Sequence, residues 1–177
     1  MDTSVSEGDL KELCTAIGII AINWAMIERQ LDNCIHLICA DLGGIPGERE
    51  KPLALERKIK ALKKSFRRIE SLKPFKDRAI PLIEDARVMG HKRHMFLHGC
   101  IGKLEGPILT MHKLRPDINA LNPYYEVEEL SFDFTQFPAL VEDLSRLVKA
   151  WGFLAKDLLD TIERRHPKPL RPHLRGH

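Results

Sequence analysis

DLKELCTAIGIIAINWAMIERQLDNCIHLICA, from Asp9 to Ala40, is the stretch whose spacing decides the fold class. Leu10, Leu13, Ile17, Ile20, Trp24, Ile27 and Leu31, then Cys34 or Ile35 and Ile38, recur every three or four residues, which places them on one face of an α-helix. Ser6 is the expected N-cap, with Asp9 three residues on in the place a capping box gives to Glu or Gln. Gly43, Gly44, Pro46 and Gly47 predict a loop after it.

The same periodicity recurs outward from this helix. After Pro52, Leu55, Ile59, Leu62, Phe66 and Ile69 form an apolar side opposite Arg57, Lys58, Lys60, Lys63, Lys64, Arg67 and Arg68, so a strongly basic amphipathic helix is expected. A third helix is expected after Pro74. It takes Ile80, Ile83, Ala86, Val88 and Met89 inward and runs through Arg93 to His98, with Gly99 as a C′ residue. The last long helix is expected from about Thr135 to about Arg164, with Phe137, Leu140, Leu144, Leu147, Val148, Trp151, Leu154, Leu158 and Ile162 facing the core. Between Cys100 and Val127 the pattern shortens around Glu105-Gly106-Pro107, which predicts a small β-hairpin. The reading is all-α: a bundle of four to five long amphipathic helices over residues 1–165, carrying a hairpin or loop insertion at about 100–127. A disordered basic tail is expected over residues 166–177.

A chain of 177 residues, 44% of them apolar, fits one domain with a core. Met1 to Asp9 is polar and acidic, without the basic start and apolar stretch of a signal peptide. The most apolar run, Ala16 to Ile27, contains Asn23 and is closed by Glu28 and Arg29, so no membrane segment is read. Cys14, Cys34, Cys39 and Cys100 form no C-x-x-C pair and read as reduced core thiols, in keeping with a cytoplasmic protein. Charge is uneven. Residues 48–103 carry 16 Lys/Arg against 7 Asp/Glu, net +9, and residues 104–160 carry 5 against 10, net −5. Either the basic surface attracts a polyanion, or it meets an acidic helix of the same bundle or of a partner subunit.

The segment Arg93-His94-Met95-Phe96-Leu97-His98-Gly99 concentrates the chemistry. An Arg fork holds phosphate, and a His exchanges protons near neutral pH; metal-free RNA cleavage needs both functions. Arg93 is therefore the expected phosphate clamp and His98 the general acid or base. The segment resembles the R-x(4–6)-H signature of the HEPN superfamily, small helical-bundle proteins many of which are metal-independent endoribonucleases. Trp24-x-x-x-Glu28 in the first helix, Glu56-Arg57-Lys58 in the second and the long final helix are similar to such proteins. The resemblance implies a toxin or defence-type endoribonuclease acting on RNA without a cofactor, a homodimeric site, and restraint by an antitoxin protein. Where a polar residue, commonly Asn, usually follows the Arg, this chain has His94.

On a regular helix Arg93 and His98 stand about 140° apart. A distorted helix end, a reaching Arg93 or a site shared across a dimer would reconcile them. The negative end of the helix dipole favours protonated His98 and disfavours phosphate unless nearby cations offset it. Glu28 is the candidate to orient a His or Arg across the bundle, or else a surface carboxylate paired with Arg29 or Lys11. His91, His94 and His98 fall within about 60° of one another, a single stripe that reads first as structural polar histidines and second as three imidazoles for a metal, which one rigid helix does not easily bring around a tetrahedral ion. No Gly-rich phosphate loop, H-E-x-x-H, zinc-finger spacing or G-x-S-x-G elbow occurs. The second reading is a catalytically silent helical module that binds a protein or nucleic-acid partner.

Overall fold

The structure, a computed structural model, describes residues 7–45, 51–116 and 125–165. Within them the chain runs α1 (Glu7–Asp41), α2 (Leu55–Arg68), α3 (Lys76–His98), β1 (Cys100–Glu105), β2 (Ile108–Pro116), β3 (Tyr125–Asp133) and α4 (Phe137–Arg165). The protein is thus mostly helical, with four helices and a small antiparallel sheet of order β1-β2-β3. Ser6 and residues 166–177, the expected cap and tail, lie outside the described residues.

The helical stripes find their partners. α1 packs most extensively on α4, and also on α3 and α2. Ile20, Trp24, Ile27 and Leu31 of α1 are buried with Leu144, Trp151, Leu154 and Leu158 of α4. The expected inward face is too wide at two places. Leu10 is 49% exposed near the start of α1, and Val88 is 48% exposed where α3 turns a flank to solvent. Of the four thiols only Cys34 is a core residue, and burial pushes it up to about 12; Cys39 is half-buried and Cys14 and Cys100 are exposed.

By length and composition alone, α1 passes as a helix able to cross a membrane, its most apolar 18-residue window having a mean hydropathy of 1.5, a test that the core helix of a soluble protein also passes. Apolar residues continue past Glu28 and Arg29 at Leu31, Cys34, Ile35 and Ile38. In this fold those four belong to the core. α1 ends where expected. Gly43 and Gly44 take φ of 83° and 87°, and the Gly44 N–H donates to the Ile38 carbonyl at 3.1 Å, a left-handed termination that glycine adopts without steric cost.

The predicted hairpin is part of something larger. β1 and β2 join through a two-residue turn with Gly106 at φ 56°. β3 then pairs along all of β2, from Ile108↔Asp133 to Pro116↔Tyr125. Strand formation here overrides composition, since Glu126, Glu128 and Glu129 are poor strand formers. α4 accordingly starts later than Thr135. The Thr135 N–H and hydroxyl both donate to Asp133 Oδ1, at 2.8 and 2.7 Å, and cap the short 3₁₀ turn that leads into the helix.

Candidate functional site

The site grows from the junction of α3 with the sheet. Within the Arg93–His98 segment, Met95 and Phe96 turn into the core. The Phe96 ring meets Phe132 of β3 edge-on at 5.1 Å, which fastens the sheet to the end of α3. Gly99 follows directly after the helix, with an extended backbone of φ −79° and ψ 151°. Glycine is required here for room, because a Cβ would meet the Met95 carbonyl oxygen at 2.6 Å.

The pleat of β2 selects what reaches the site. Alternate residues share a face, so Leu109 and Met111 enter the core and Lys113, two positions on, emerges beside α3. Its register partner on β3 is Glu128, whose carboxylate lies 3.1 Å from His91 Nε2. Neither Lys113 nor Glu128 is marked by the sequence as a site residue. Only the L-x-M-x-K alternation hints that Lys113 follows two core residues on one face.

Trp24, Glu28, Leu55, Glu56, Gly90, His91, Arg93, His94 and Lys113 line one cleft of about 270 Å³. Gly90 lets α3 approach its floor, since a Cβ there would come within 2.4 Å of Leu55 and 2.8 Å of the Trp24 ring. Three of the four expected site residues, Glu28, Arg93 and His94, therefore share this cleft. His98 does not line it, yet its ring centroid is 4.8 Å from that of His94. Glu28 makes no hydrogen bond or ion pair with Arg93, His94, Lys11 or Arg29 among the described residues.

The cleft carries mixed charge, Glu28 and Glu56 standing with Arg93 and Lys113 around His91 and His94. Lys113 Nζ donates to His94 Nε2, and an ammonium has only protons to give, so that ring nitrogen must be the acceptor and the neutral ring carries its proton on Nδ1. Partial burial first, then Lys113, His98 and Arg93, hold the His94 imidazolium below its usual range, with Glu128 opposing. Arg93 Nε is buried and has no hydrogen-bond partner among the described residues. A buried guanidinium donor without an acceptor is costly, so an anion entering the cleft would meet a donor already stripped of water. No group of three or more His, Cys, Asp or Glu among the described residues is arranged to hold a metal ion.

No protein-family model, curated protein or solved structure matches this chain.

Proposed function

We propose that the protein is a metal-independent endoribonuclease of toxin or defence type, acting as a homodimer in a reducing cytoplasm. The observation that carries this reading is the convergence of Arg93, His94 and Lys113 on one cleft, with the Arg93 Nε donor unsatisfied. Arg93 clamps the scissile phosphate and, with Lys113, offsets the charge gathering on its oxygens. A base removes the ribose 2′-hydroxyl proton, O2′ bonds to phosphorus, and the P–O5′ bond breaks as an acid protonates the leaving oxygen. The products are a 2′,3′-cyclic phosphate and a 5′-hydroxyl. His98, at the edge of the cleft against His94, serves as the acid or base. His94 is engaged through Nε2 and positions both Lys113 and the His98 ring.

A second reading, a silent module that binds a protein or nucleic acid, draws on the place of His98 outside the cleft lining and on the engagement of His94 by Lys113. The two separate cleanly. Metal-stripped protein is incubated with mixed cellular RNA in chelator, beside Arg93→Ala and His98→Ala whose helical circular dichroism matches the parent. The ribonuclease reading expects cyclic-phosphate ends from the parent and at least a hundredfold less from either variant, the size typical of an acid–base or charge-stabilising group. No cleavage by the parent across pH and salt turns the reading to the binding module.

A further inference from the structure

The most basic helix of the chain leaves most of its charge unanswered. Among the described residues, Lys58 is paired with Asp32 at 2.6 Å and Lys63 with Glu84, which also accepts from Arg87 Nε at 3.1 Å. Among the described residues, Arg57, Lys60, Lys64, Arg67 and Arg68 have no carboxylate within ion-pair reach. α4 does not supply one: α2 packs against α3 and α1, while Asp143 and Asp157 of α4 pair with Arg146 and Arg78. Beyond Asp32 and Glu84, the basic face of α2 therefore meets no carboxylate of another described helix.

Part of that face forms a groove of about 460 Å³ against α3, lined by Glu56, Arg57, Ile59, Lys60, Lys63 and Arg87. Glu56 also lines the Arg93 cleft, so groove and cleft meet at one residue. Arg57, Lys60, Lys64 and Arg67 recur at three- and four-residue steps, a row of cations about 15 Å long on one side of α2. A linear row of uncompensated cations suits a linear polyanion better than a single anionic group.

We infer that the α2–α3 groove, through the unpaired cations Arg57 and Lys60, is a phosphate track that feeds single-stranded RNA into the Arg93 cleft. That the polyanion is RNA rests on the ribonuclease reading; that the groove binds a polyanion does not. The Glu56 carboxylate at the junction repels phosphate, so the strand crosses it with a sugar or base. Phosphates then fall on either side, on Arg93 and on Arg57 and Lys60.

The test is fluorescence anisotropy with a short labelled 2′-O-methyl oligouridylate, which cannot be cleaved because its 2′-oxygen is blocked. The parent is compared with Arg57→Ala/Lys60→Ala, with the charge-keeping Arg57→Lys/Lys60→Arg, and with Arg93→Ala. Each single-strand phosphate contact steepens the salt dependence by about 0.7 in log–log slope, so two lost contacts make the variant roughly seven-fold less sensitive between about 50 and 200 mM salt. The charge-keeping variant retains the parent's slope, and Arg93→Ala retains the share due to the groove. An unchanged slope in Arg57→Ala/Lys60→Ala overturns the track, even if the parent cleaves RNA. Equal or tighter binding of duplex RNA, or of polyglutamate, overturns a single-strand track. Groove-dependent binding by a parent that cleaves nothing keeps the track and removes the ribonuclease reading.

Discussion

α3 has two flanks, and the molecule treats them differently. Toward α4 lies a shallow, largely apolar surface of Leu82, Val88, Met89, Leu147, Ala150 and Phe153, on which every arginine has a carboxylate: Arg78 with Asp157 at 2.6 Å, Arg146 with Asp143. Toward α2 and β2 lie the Arg93 cleft and its groove, where Arg57 and Lys60 meet no carboxylate and Arg93 Nε no acceptor among the described residues. The difference is not one of composition, since both flanks carry Arg and acidic residues. Charge neutralised within the fold is a structural element, whereas charge left uncompensated is available to an outside anion.

The sharpest way to test the two flanks is to damage each. Trp24 is 2% exposed and floors the cleft while belonging to the common core. Trp24→Ala is expected to cost about 3–5 kcal/mol in denaturant unfolding, which would show the cleft to be built on the core rather than applied to its surface. Gly90→Ala tests the close approach of α3. Overpacking against Trp24 and Leu55 costs about 1–3 kcal/mol and the helix gains about 1 kcal/mol from losing a glycine, so a net loss of about 1 kcal/mol is expected. A net gain would mean that the cleft floor yields easily.

Smaller effects separate structural from available charge. Arg78→Ala, which breaks the exposed pair with Asp157, is expected to lower stability by less than about 1 kcal/mol and to leave oligonucleotide binding untouched. Arg57→Ala/Lys60→Ala is expected to leave the unfolding midpoint unchanged and to alter binding alone. If both variants lose stability alike, the contrast between the flanks fails.

The smallest signal is the titration of His94. Because its folded-state value lies below the ordinary 6.5, the unfolded chain takes up a proton first as pH falls. Its contribution to stability is complete above that ordinary value and is lost as pH drops toward the folded one. Replacing Lys113 with Met should raise the His94 value toward the ordinary one and so shrink that loss, the rise being read from imidazole proton resonances. No movement would remove Lys113 from the electrostatics of the cleft.

The helices were legible because burial repeats with the helix period. α1, α2, α3 and α4 fall within a few residues of the segments that Leu10 to Ile38, Leu55 to Ile69, Ile80 through His98 and Phe137 to Ile162 predict. β3 was not legible. Its run of glutamates carries no clean alternation, and its pairing energy comes from β2, a partner remote in sequence. Lys113 was invisible for the same reason, since its place beside His94 follows from strand register. Arg93, His94 and Glu28 could be singled out by residue type, but not their shared cleft.

What the sequence determined by itself is the helical class, the basic α2 and the Arg/His segment at the end of α3, because these depend on spacing along one chain. The tertiary structure alone decided which charges on the two flanks of α3 are neutralised. It also decided that β2 brings a lysine to the segment, because distances between elements far apart in sequence are set by packing and register.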